Sequence, residues 1–148
     1  MSGFVSRWVV RQKCALEAGD FDTHGVMLAD VVDGWLEAAR AAYLDQCRVL
    51  SKMQESSGLV LRARIDQPPA RERLGRPTAV VVSAGATELF PTSITLAFRL
   101  RPTDGPGEVV NATCAVSLED PATGEARELG DDVRDELIAL EHAARHTN

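Results

Sequence analysis

The sequence predicts an α+β fold in which an antiparallel sheet covers one long helix, with a short C-terminal helix closing the chain. Three observations predict it. A single long segment repeats apolar residues at spacings of three and four: Leu28, Val31, Val32, Trp35, Leu36, Ala39, Ala42, Tyr43 and Leu50. Several shorter segments alternate apolar and polar residues. Most of these follow one another, separated by turn clusters too short for parallel crossovers.

The first strand is expected from Val5 to Leu16. Trp8, Val10, Cys14 and Leu16 fall on one face and Arg11 and Lys13 on the other. Glu17 to Gly25, rich in Asp and Gly, reads as a turn. The long helix is expected from Asp30 to Met53, stopped by Ser56-Ser57-Gly58, with Asp30 or Asp33 suiting the positive end of its dipole. Leu59 to Ile65 is a short strand, followed by a loop from Pro68-Pro69 through an arginine-rich stretch. Thr78 to Leu89 is a strand in which Gly85 marks a candidate bulge. Phe90-Pro91-Thr92 turns the chain into Ser93–Arg101, where Ile94, Leu96, Phe98 and Leu100 point inward. Pro102–Gly107 turns it again into Val109–Leu118, where Val110, Ala112, Cys114, Val116 and Leu118 do so. An amphipathic helix from Asp131 to Ala144 ends the pattern.

Composition bounds the function. A chain of 148 residues, 45 % hydrophobic and 26 % charged, fits one domain over residues 1–148 with a sizeable core. The net charge of −6 disfavours a nucleic-acid partner. No apolar run reaches the roughly 18 residues a membrane helix needs, and no secretion signal opens the chain. Three scattered cysteines, Cys14, Cys47 and Cys114, give neither a disulfide framework nor a metal motif. They read as small core residues, and a cytoplasmic location is expected. Against the acidic background, Arg62, Arg64, Arg71, Arg73 and Arg76 outweigh Asp66 and Glu72. That stretch is either a solvated loop or a phosphate-binding rim.

The stretch that carries chemistry is Asp20-Phe21-Asp22-Thr23-His24-Gly25-Val26, followed by Glu37-Ala38-Ala39-Arg40. A carboxylate beside a helix start sits near unpaired N–H groups and partial positive charge, which can stabilise an oxyanion. Such a carboxylate can attack an electrophilic carbon or activate water. Asp20 reads as a turn-forming carboxylate. His24 is either a surface turn residue or a group that positions substrate or moves a proton. Glu37 either pairs with Arg40 along the helix or orients water and Asp22. Asp20, Asp22 and His24 alternate, but mixed ligands in a turn make a poor metal set, and no metal or cofactor is expected. His142 and His146 read as a solvated tail. No GxSxG elbow, phosphate-binding P-loop or GxGxxG fingerprint occurs.

With its Asp-x-Asp-x-x-Gly-x-Val-like turn, the helical Glu37-to-Arg40 signature, the preceding Arg11 and the order of strands, the chain resembles the 4-hydroxybenzoyl-CoA thioesterase-like branch of the hotdog superfamily. The resemblance implies a hotdog fold, with the sheet curled around the central helix. It also implies homodimers or tetramers of dimers, paired edge to edge with active sites at the interface. In that scheme Asp22 works on the thioester carbonyl carbon, as nucleophile or as base for water. The backbone N–H of Ala29 polarises the thioester oxygen. Gly25 in the turn is expected to bind substrate, while Met27, Leu28 and Val32 line the acyl pocket where relatives often carry polar or aromatic residues, favouring an apolar acyl group. Arg71, Arg73 and Arg76 would meet the phosphates of CoA. The implied activity is hydrolysis of an acyl-CoA or acyl-carrier-protein thioester. Two other functions compete: a catalytically silent hotdog that binds acyl-CoA as sensor or scaffold, and a hotdog dehydratase, whose His–acid arrangement the sequence lacks.

Overall fold

Alternation of apolar and polar side chains produces five strands in the computed structural model, which describes residues 8–146. They are β1 (Val10–Ala15), β2 (Val60–Gln67), β3 (Ala79–Phe90), β4 (Ser93–Pro102) and β5 (Val110–Glu119). All neighbours are antiparallel, in the order β1-β3-β4-β5-β2. The inward residues assigned by alternation on β4 and β5 are all buried, from Ile94 to Leu118. β1 starts at Val10 rather than Val5; residues 5–7 of the expected strand lie outside the described residues. The irregularity expected at Gly85 falls instead between Ala86 and Glu88, and Gly85 pairs in register with Ala97. Glycine is needed at 85 for another reason. A Cβ there would stand 3.3 Å from the Trp8 ring and 3.4 Å from the Glu141 carboxylate.

Helix α1 (Ala29–Leu44) buries Val32, Leu36, Ala39 and Tyr43 and packs against β3 and β1. The expected single helix to Met53 is two helices: the chain breaks at Asp45–Cys47 and resumes as α2 (Arg48–Ser57). At the break the hydrogen bonds tighten to three-residue spacing, Gln46 N–H to Tyr43 O and Cys47 N–H to Leu44 O. Apolar periodicity does not register this break, because Tyr43, Cys47 and Leu50 are all buried across it. The new helix start is satisfied from far away in the sequence. The Glu136 carboxylate accepts the N–H groups of Arg48 at 3.0 Å and Val49 at 2.9 Å. Gly58, left-handed at φ 64°, stops α2 where the sequence places the stop.

Glu136 belongs to α3 (Gly130–His146), which packs on α2 and β3 through Val133 and Leu137. One turn further along α3, Glu141 accepts a hydrogen bond from the Tyr43 hydroxyl at 2.6 Å and another from the Ala86 N–H at 2.9 Å. Burial and this carboxylate push the Tyr43 phenol well above its ordinary pKa. Cys47 and Cys114 are buried free thiols, pushed by burial up to about 12 and about 11. Among the described residues no helix is long and apolar enough to cross a membrane.

Glu136→Ala should lower unfolding free energy by about 0.5–2 kcal/mol, the usual cost of a lost N-cap. Glu136→Gln, which keeps an acceptor oxygen, should cost less. Denaturant titrations with unchanged m-values check both; equal losses would show that the cap is not what Glu136 contributes.

Candidate active site

Between β1 and α1 the chain makes a tight loop whose hydrogen bonds are mostly its own. A turn of 3-10 helix, Ala18–Asp20, is closed by the Asp20 carboxylate on the Glu17 N–H at 2.8 Å. Asp20 is therefore structural, as its turn position suggests. Its carbonyl also accepts the Leu28 N–H at 2.9 Å, and Phe21 and Met27 form an antiparallel bridge. These contacts bring the two ends of the loop together and set the Asp22 turn close to the start of α1.

Asp22 organises the turn. Its N–H donates to Val26 O at 2.8 Å and its carbonyl accepts the Gly25 N–H at 3.0 Å. Its Oδ1 accepts the N–H groups of His24 at 2.8 Å and Val26 at 3.0 Å. The residue is exposed, and among the described residues no protein donor reaches Oδ2. The carboxyl is held below its ordinary value of 3.8, first by the Val26 and His24 N–H groups and then by the nearby charges of His24 and Arg71. Gly25 takes φ 78°, where a side chain would be strained, and the Arg76 side chain lies 3.1 Å from where its Cβ would be.

Leu28, half-exposed, caps α1 with no side-chain bond. Its carbonyl takes the N–H groups of Val31 and Val32. The N–H of Ala29 has no acceptor among the described residues, as expected of a first-turn amide. An unpaired donor at the positive end of a 16-residue helix thus follows a free carboxylate oxygen after seven residues of tight loop.

The other expected site residues divide. His24 is exposed, with its N–H on the Asp22 carboxylate. Met27 and Val32 are sealed in the chain's own core at 0 % exposure, so Leu28 is the one of that trio with appreciable surface. Glu37 is exposed on α1, about 12 Å of helix rise beyond Ala29. It makes no ion pair with Arg40 among the described residues.

The arginine stretch is not one loop. Arg71–Leu74 is a turn of 3-10 helix pinned by fully buried Leu74. From it the Arg71 guanidinium donates to the Met27 carbonyl. Arg76 stacks over the Phe21 ring, 5.1 Å from its centroid. Arg73 turns away to Glu108 at 3.0 Å, and Arg62 and Arg64 pair with Glu119 at 3.9 and 2.9 Å. Sequence reasoning grouped these arginines by charge. It had no signal for the two that lie against the Asp22 loop, since Arg71 reaches a partner 44 residues earlier.

A cavity of about 250 Å³, lined by Ala86, Thr87, Leu89, Leu137, Ile138 and Glu141, lies between β3 and α3. It adjoins the Tyr43 end of α1, opposite the Asp22 end. Among the described residues no three His, Cys, Asp or Glu side chains gather as a metal site.

No protein-family model matches the chain, and no curated protein matches it in sequence. Solved structures do match in shape. A thioesterase from Thermus thermophilus, complexed with coenzyme A and Zn, superposes with TM-score 0.65 at 20 % identity, covering 96 % of this chain and 98 % of that one. A thioesterase-superfamily protein from a Jannaschia species gives 0.65 at 17 % identity, covering 91 % and 84 %. The fold is the hotdog fold, with its central helix interrupted after Leu44.

The carboxyl carbon of Asp22, followed by NMR, should titrate below 3.8. Because the folded value is depressed, the turn's stabilisation is complete above the unfolded value and fades as pH falls through the folded one. Gly25→Ala, which strains the turn, should move the midpoint up toward the unfolded value. An unmoved midpoint would detach the depression from the turn geometry.

Proposed function

We propose that the chain hydrolyses acyl thioesters, with Asp22 acting on the carbonyl carbon and the Ala29 N–H polarising the carbonyl oxygen. The observation that carries this reading is the Asp22 carboxylate itself. One oxygen is fixed by two N–H groups, the other is open, and an unpaired helix-start donor follows in the same tight loop. The fold shared with thioesterases, one of them complexed with coenzyme A, supports acyl-CoA as the substrate class.

Direct attack is the route the open Oδ2 offers most simply. Oδ2 would bond to the acyl carbon as the carbon–sulfur bond breaks, releasing the thiolate. Water would then cleave the mixed anhydride, freeing the acid and restoring the carboxylate. His24, beside Asp22, is the candidate for handling the proton. The exposed turn needs a second wall, which fits a homodimer completing each site, and Glu37 would serve such a site from the partner's exposed helix face. Arg71 and Arg76, lying against the loop, would meet CoA phosphates more readily than Arg73, already engaged by Glu108.

Asp22→Asn should keep the fold and cut kcat at least about 100-fold in a thiol-release assay over an acyl-CoA panel. Near-normal turnover in that variant would remove Asp22 from the chemistry. If the wild-type chain binds acyl-CoA but releases no thiol, the sensor or scaffold reading replaces hydrolysis.

The same panel should favour apolar acyl groups, each buried methylene adding about 0.8 kcal/mol until the pocket fills. A preference for malonyl- or succinyl-CoA over hexanoyl-CoA would contradict an apolar pocket beginning at Leu28.

A further inference from the structure

The strands turn their apolar residues toward α1, and the register fixes what they turn the other way. Arg11 and Arg99 are both paired neighbours of Ser83, while Lys13 and Arg101 are both neighbours of Val81. The four cations thus frame a small floor on the outer face of the sheet, about 10 Å across the strands and about 7 Å along them. Arg11, Lys13 and Arg99 are exposed and Arg101 partly so. None of the four makes an ion pair or side-chain hydrogen bond among the described residues. Arg62 and Arg64 extend the same face on β2. Its carboxylates are marginal: Glu119, held by those two arginines, Glu88 beyond the β3 bulge, Asp66 in the β2 bulge, and Glu141 of α3, which sits at Gly85 and is engaged by Tyr43 and the Ala86 N–H. A chain with net charge −6 therefore presents one net-positive face.

We propose that this outer face is the docking surface for an acidic carrier domain that presents the acyl thioester on a flexible phosphopantetheine arm, an inference that rests on the thioesterase reading. Charge complementarity selects the partner. A second copy stacking its own outer face here would set cations against cations. A long polyanion such as duplex DNA, or an anionic membrane, would extend past the patch and meet the acidic remainder of the chain. A compact acidic surface, such as a helix displaying carboxylates, meets the four cations and little else. The location suits delivery: β1 runs from Lys13 through Leu16 directly into the Asp22 loop, so an arm rooted on the outer face lies at the catalytic end of the sheet.

The test compares one acyl group on two carriers, hexanoyl-CoA and a hexanoyl acyl-carrier protein. The quadruple variant Arg11→Gln, Lys13→Gln, Arg99→Gln, Arg101→Gln should raise KM for the protein-borne substrate about tenfold and flatten its salt dependence. Both kcat and KM for hexanoyl-CoA should stay within about twofold, because no member of the quartet enters the chemistry at Asp22. The pair variant Arg11→Gln, Arg99→Gln should show a smaller change of the same kind and serves if the quadruple variant unfolds. An unchanged KM for the protein-borne substrate, or an equal rise with both carriers, overturns the proposal. Anisotropy of labelled carrier protein, measured without turnover, separates docking from catalysis. Should the wild-type chain hydrolyse neither substrate yet bind the carrier, with binding lost in the variant, the surface stands and the hydrolase reading falls. Tighter binding to a short DNA duplex or to phosphatidylserine vesicles than to the carrier would also overturn it.

Discussion

Helix α1 must bury the stripe Val32, Leu36, Ala39 and Tyr43 against the inner face of the sheet, and nearly every other feature follows from that burial. Once the stripe is seated, the helix cannot slide or roll without exposing it. Its first turn is then fixed beside the loop that follows β1, and its last turn beside Glu141. The same seating turns Arg11, Lys13, Arg99 and Arg101 to the opposite side of the sheet. The Asp22 loop and the basic outer face are thus two results of one packing decision.

Tension within the site is informative. A carboxylate that serves as the anchor of its own turn loses basicity, because every N–H it accepts stabilises the charged form. The loop gains rigidity from that arrangement and keeps one oxygen open. The anchoring oxygen and the open one thus have separate tasks, one holding the turn and one facing solvent.

Much of this was legible in the sequence because it is local. Strand alternation found β3, β4 and β5 to within a residue or two, and Gly58 marked the end of α2. The Asp20–Gly25 turn announced itself through residues that bond within a few positions of one another. What stayed hidden depends on distant partners. The break after Leu44 is invisible to periodicity, since buried residues continue across it, and the carboxylate that caps α2 lies 87 residues on from Val49. Arg71 and Arg76 read as part of a charged loop until the fold set them on Met27 and Phe21. The outer-face quartet needed register as well as pattern, because Arg11 and Arg99 become near neighbours only through Ser83.

Glu136 and Glu141 lie on the last helix, yet they complete the junction between the first two. A ribosome releases α1 and α2 long before it releases those carboxylates. During synthesis the Arg48 and Val49 amides have no cap, and nothing local forbids one continuous helix through Asp45–Cys47. The cap on α2 therefore forms only once α3 docks. The contacts that close this junction reach from α3 back to α1 and α2, so it can be completed only once α3 has emerged.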